Sequence, residues 1–107
     1  MVKEIKYDKL VRDKIPNIIE TSGKICVSRI ADEKEYRTKI LEKVQEELME
    51  FKSTPNTEEA ADILEIVYAL FNSYQLDIGE IDKVREDKLH KRGGFEDMII
   101  LEKVIEN

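Results

Sequence analysis

The sequence predicts a mainly α-helical fold, a bundle around one acidic helical hairpin with a small two-stranded β ribbon. Three observations lead there. Two long stretches, 32–53 and 58–74, carry apolar residues at intervals of three and four, the period of a helix with one buried side. Between them, Ser53-Thr54-Pro55-Asn56-Thr57 is a short turn in which Pro55 removes a backbone donor. Two short runs rich in β-branched and apolar residues, Ile25 to Ile30 and Phe95 to Val104, read as strands that pair with each other. The second run has a helical alternative, and a lone two-stranded ribbon needs helices beneath it.

Taken in order, Lys9 to Thr21 places Leu10, Ile15, Ile18 and Ile19 at helical spacing, with Pro16 bending or restarting the segment and Ser22-Gly23 ending it. Asp32 is the expected N-cap of the second helix, with Glu35 three positions on, and that helix runs to about Ser53. Thr57 is the expected cap of a third helix, from about Glu58 to Tyr74. A fourth, from Asp77 or Gly79 to His90, ends at Gly93-Gly94. No repeat or Gly/Ser-rich linker interrupts residues 1–107, which are read as one domain.

Composition narrows the function classes. Charged residues at 39% and hydrophobic ones at 41% predict a soluble globular chain. The sequence has neither the roughly 20-residue apolar run of a membrane helix nor the features of a secretory signal at its start, so a cytoplasmic location is expected, with no membrane partner. The single cysteine, Cys26, excludes an internal disulfide framework and reads as a small buried apolar residue. A net charge of −6 disfavours a nucleic acid polymer as partner. The charges are nevertheless segregated: Lys9, Arg12 and Lys14 near the start, Lys88, Lys91 and Arg92 near the end, acids in the middle. That layout suits a compact anionic ligand bridged by metal.

In the second helix Leu41, Val44, Leu48 and Phe51 define the expected apolar stripe. At about 100° per residue, Glu47 falls inside its border beside Ile40 and Phe51, Glu50 lies one step round, and Glu42 and Glu46 point outward. In the third helix Ile63, Val67, Leu70 and Tyr74 form the stripe, with Glu59 inside it and Asp62 at its edge. In an antiparallel hairpin, facing residues have a constant sum of residue numbers, and Glu50 with Glu59 has the same sum as Glu47 with Asp62. Four ionised carboxylates at a partly dry seam repel one another and lose hydration unless protons or cations compensate. Oxygen-only ligands favour magnesium, manganese or calcium over zinc. The competing reading is a solvated acidic face paired with lysines.

The pattern Glu46-Glu47-Leu48-Met49-Glu50, followed after eight residues by Glu59-Ala60-Ala61-Asp62, resembles the two-part acidic motif of the all-α nucleoside triphosphate pyrophosphatases, which include MazG, the dimeric dUTPases and phosphoribosyl-ATP pyrophosphohydrolase. The segments Tyr7-Asp8-Lys9-Leu10-Val11-Arg12-Asp13-Lys14-Ile15-Pro16 and Lys91-Arg92-Gly93-Gly94-Phe95 resemble the small MazG-like, house-cleaning branch, so the likeness spans nearly the whole chain. The resemblance implies a MazG-like homo-oligomeric helical bundle, a dimer or tetramer. It implies magnesium, replaceable by manganese, held by Glu47, Glu50, Glu59 and Asp62, and hydrolysis of nucleoside triphosphates, non-canonical or surplus ones in particular, to monophosphate and pyrophosphate.

Within that reading Glu46, Glu47 and Glu50 are the catalytic candidates; Glu46 either orients water beside the metal or faces solvent. Lys9, Arg12 and Lys14 are candidate phosphate ligands, since metal alone does not neutralise a triphosphate. Lys88, Lys91 and Arg92 are equally phosphate ligands or cations at the negative end of the fourth helix. His90 reads as a surface residue at a helix end, and Asn72 as a base or sugar contact. Two alternatives stand beside this: phosphoribosyl-ATP pyrophosphohydrolase, which needs contacts for a second ribose phosphate, and a non-catalytic helical scaffold.

Overall fold

A computed structural model describes residues 2–107. Four helices follow in order: α1 (Ile15–Thr21), α2 (Glu33–Ser53), α3 (Thr57–Ser73) and α4 (Ile78–Arg92). The chain divides into two compact units, Met1–Gln75 and Leu76–Asn107.

Each helix of the first unit begins where its sequence supplies a start. Asp32 caps α2 by accepting from the Glu35 amide at 2.8 Å. On α3 the cap is Asn56, which accepts from the Glu59 amide at 2.9 Å, and Thr57 is already helical. Thr57 was the expected cap; Asn56 wins because an extended Asn places its carbonyl over the third amide beyond it, and Asn caps at least as well as Thr. The expected helix over 9–21 forms only from Ile15. Pro16 fits the first turn, where its missing N–H leaves no bond unmade, and Gly23 adopts φ 92° just past the end.

α2 and α3 pack against each other as the expected hairpin. Ile40, with no exposure, and Glu47, with 6%, are the only buried residues among those described. The face α2 presents inward is therefore Ile40, Val44, Glu47 and Phe51, at intervals of four, three and four. Leu41 and Leu48, expected in the stripe, lie half exposed on its flank. The α2 sequence has apolar residues on two adjoining sides, and the one that packs is set by Ile40 and Phe51. On α3, Ile63, Ile66, Val67 and Leu70 are half-buried, and Tyr74 stands exposed just beyond the helix.

The open end of the hairpin is closed by Arg37 of α2. Its guanidinium donates to the Ser73 carbonyl at 2.8 Å, satisfying one of the carbonyls that a helix end leaves without a partner. It also stacks over the Tyr74 ring at 4.4 Å from the centroid.

In the second unit, Asp77 caps α4 through the Glu80 amide at 2.9 Å. Gly93, at φ 80°, ends the helix while its amide donates to Leu89 at 2.9 Å.

The expected β ribbon is absent: no strand occurs among the described residues, and neither 25–30 nor 95–104 makes a ladder. Ile25, Val27 and Ile30 are each more than nine-tenths exposed, so this run buries nothing that would offset ordering it as a strand. Arg29 instead forms a two-pronged pair with Glu35. Its hydrogen bonds, and then its charge, hold the Glu35 carboxyl below its usual range.

Ile40 is the one apolar side chain fully out of water among the described residues, so the hairpin is expected to be unusually sensitive there. Ile40→Ala is expected to cost about 2–5 kcal/mol and Ile40→Val about 0.5–1.5 kcal/mol, measured by urea unfolding; equal, small losses for both would show that the hairpin does not rest on this residue.

Candidate metal centre

Three carboxylates converge on the turn end of the hairpin. Glu47 and Glu50, three residues apart on α2, and Glu59, in the first turn of α3, have carboxylate oxygens all within 4.8 Å of one another. Helical spacing puts Glu47 and Glu50 on one side of α2, and the Thr54-Pro55-Asn56 turn folds Glu59 back to meet them. Glu50 is exposed, Glu59 half-buried and Glu47 buried. A groove of about 370 Å³ beside them is lined by Glu46, Met49, Glu50, Ser53, Thr54 and Glu59.

The electrostatics are unfavourable as they stand. Oε2 of Glu47 and Oε2 of Glu59 are both shielded from solvent and lack a hydrogen-bond partner. Loss of hydration, then the neighbouring Glu50 charge, pushes the Glu47 carboxyl above its usual range, against the opposing pull of Lys43. Glu59 is raised for the same two reasons, with Asp62 and Glu47 adding to the repulsion. Two shielded carboxylate oxygens without a donor, in a trio whose oxygens all lie within 4.8 Å of one another, make a group of oxygens that could hold a hard divalent cation.

Asp62 stands apart from this trio. Its Oδ1 accepts from the Arg12 guanidinium at 2.7 Å. Glu46, expected to point outward, is half-buried on the groove wall. It accepts from Lys9 at 2.9 Å and from Lys43 at 3.4 Å, and the Lys9 hydrogen bond holds its carboxyl below the usual range. Lys43 was not foreseen as part of the site. It lies one turn before Glu47 on α2, largely shielded, with its amine also 3.5 Å from Glu47. The spacing of Lys43 and Glu47, four residues apart on one helix face, was the available signal.

Among the remaining residues singled out, Lys14 precedes α1 and makes no ion pair among the described residues. Lys88, Lys91 and Arg92 belong to α4 in the second unit, where Lys91 pairs with Asp87 at 3.0 Å. His90 is exposed in the last turn of α4, Asn72 is exposed near the end of α3, and Cys26 is half-buried with a free thiol. No helix among the described residues is long and apolar enough to cross a membrane. The chain matches no family model, no curated protein and no solved structure.

A carboxyl raised in the folded state opposes folding when ionised. That opposition is absent below its unfolded pKa and complete above its folded one. Glu46, lowered, acts the other way, contributing stability that is lost as pH falls through its folded value. Glu47→Gln removes the first effect and leaves Lys43 its bond to Glu46. At neutral pH the metal-free variant is therefore expected to be more stable than the parent, because it removes an ionised carboxylate from a shielded site beside Glu50. The gap should close as pH falls through the raised Glu47 value. Thermal melts across pH check this, and a variant less stable at neutral pH would show that Glu47 is satisfied in the folded state.

Proposed function

We propose that the chain is a MazG-like pyrophosphohydrolase that cleaves nucleoside triphosphates, damaged or surplus ones in particular, to monophosphate and pyrophosphate with magnesium. The observation that carries this reading is the Glu47, Glu50 and Glu59 cluster, with the buried Glu47 Oε2 left without a donor. The motifs Glu46-Glu47-Leu48-Met49-Glu50 and Glu59-Ala60-Ala61-Asp62, with the Tyr7 to Pro16 and Lys91 to Phe95 segments, resemble those of that family, and the resemblance supports the substrate class. The same oxygens accept manganese in place of magnesium.

Magnesium held there supplies positive charge against the developing negative charge on phosphorus oxygens and makes water a better nucleophile. Glu47, Glu50 and Glu59 hold and orient it, with Asp62 as the fourth carboxylate. Glu46, kept ionised by Lys9 and Lys43, lies on the groove wall as a hydrogen-bond acceptor that orients the attacking water. Lys9, Arg12 and Lys14 are the cations offered to the phosphates. The reading includes a cytoplasmic location.

The expected assay result is pyrophosphate release from a panel of ordinary and damaged nucleoside triphosphates that requires magnesium, stops with EDTA, and falls by two orders of magnitude or more in Glu47→Gln and Glu59→Gln. Magnesium is also expected to raise the melting temperature of the parent and not of Glu47→Gln. A magnesium-induced rise without turnover of any nucleotide would turn the reading toward a metal-stabilised scaffold.

Leu41, Leu48, Met49 and Leu64, all about half exposed on the hairpin, supply the apolar flank on which two copies would pair into a four-helix arrangement. Light scattering is expected to show a dimer or tetramer, and Leu48→Asp to shift it toward monomer. A parent protein that is monomeric at assay concentrations removes the assembly from the proposal.

A further inference from the structure

The segment before α1 is tied across the hairpin by side chains alone. At Asp8 the backbone enters the left-handed region, φ 44°, uncommon for a residue other than glycine though aspartate is among those that adopt it. Lys39 of α2 fixes it: its amine donates to the Asp8 carbonyl at 2.8 Å and lies 3.7 Å from the Asp8 carboxylate. From that bend Lys9 reaches Glu46 on α2 at 2.9 Å, and Arg12 reaches Asp62 on α3 at 2.7 Å. Residues 8–12 have no regular secondary structure and α1 packs on neither α2 nor α3, so these bonds hold the segment in place.

The two helices are thus bridged by the protein's own cations beside its unpartnered carboxylates. Asp62 stands one turn along α3 from Glu59, yet its Oδ1 is engaged by Arg12 and it gives no oxygen to the trio. Arg12, while it holds Asp62, is equally withheld from any phosphate. The pair is exposed, 59% for Arg12 and 40% for Asp62, and exposed ion pairs of this kind are weak. A divalent cation seated on Glu47, Glu50 and Glu59 outcompetes a single guanidinium for the adjacent carboxylate, because it brings twice the charge closer to it.

We propose that residues 8–12 form a charge-exchange strap: without metal, Arg12 and Lys9 lie on Asp62 and Glu46, and seating a divalent cation on Glu47, Glu50 and Glu59 draws in Asp62 and frees Arg12. The strap rests on the metal-site reading above. It couples the two halves of phosphate recognition, since the guanidinium that a phosphate needs is released only when the metal that the phosphate also needs is in place.

The test is manganese binding by calorimetry without nucleotide, with trypsin cleavage after Lys9 and Lys14 followed in the same samples. The parent is expected to bind manganese saturably and to be cut faster there once loaded. Arg12→Gln is expected to bind manganese about two- to five-fold more tightly, the worth of a competing surface ion pair, and to be cut fast there without metal. Lys39→Met, which loosens the Asp8 anchor and keeps Arg12, is expected to be cut as Arg12→Gln is. Saturable binding with cleavage after Lys9 and Lys14 unchanged or slowed in the parent overturns the strap and leaves the metal site standing. Absence of saturable binding to the folded parent overturns both.

Discussion

One carboxylate governs the hairpin. Glu47 occupies a position on α2 that packing would assign to an apolar residue, at the interval that follows Ile40 and Val44 and precedes Phe51, and it is buried accordingly. Burying an acid without full compensation costs stability, and here Lys43 approaches one oxygen while the other has no partner. The neighbouring features act on that deficit in both directions. Glu50 and Glu59 deepen it by repulsion, Lys43 offsets part of its charge, and the arm carrying Lys9 and Arg12 places cations on the acids at either side.

Much of this was legible in the residues. The capping signal at Asp32 and the hairpin turn follow local rules that a few neighbouring residues settle, and both appear as the sequence predicts, whereas Asp77, read only as a possible start of the fourth helix, is its cap. The approach of Glu50 to Glu59 was foreseen from the turn, because helical rise is constant and the turn is short. The place of Asp62 was not foreseen. Its partner Arg12 lies fifty residues away in an irregular segment, and no periodicity connects an irregular segment to a helix face.

The ribbon illustrates the opposite failure. Residues 25–30 and 95–104 have the composition of strands, but propensity describes how a side chain fits a packed, pleated surface, and Ile25, Val27 and Ile30 lie on none. The stripe on α2 failed more subtly. Leu41 and Leu48 satisfy the helical period as well as Ile40 and Phe51 do, and period alone does not choose between two adjoining apolar sides. That choice decided which acid was buried, so the chemistry of the site turned on a packing preference expressed by one isoleucine.

The clasp between Arg37 and the end of α3 has a consequence for the acids at the other end. Arg37 precedes Glu47 by ten residues, about 15 Å along the helix. Two helices joined by a single turn remain free to slide and splay at their open end; a guanidinium bonded to the Ser73 carbonyl and stacked on Tyr74 removes that freedom. The hairpin behaves as a pair of tweezers pinned at the handle as well as at the tip. The spacing of the carboxylates is thereby calibrated partly by a residue that never approaches them.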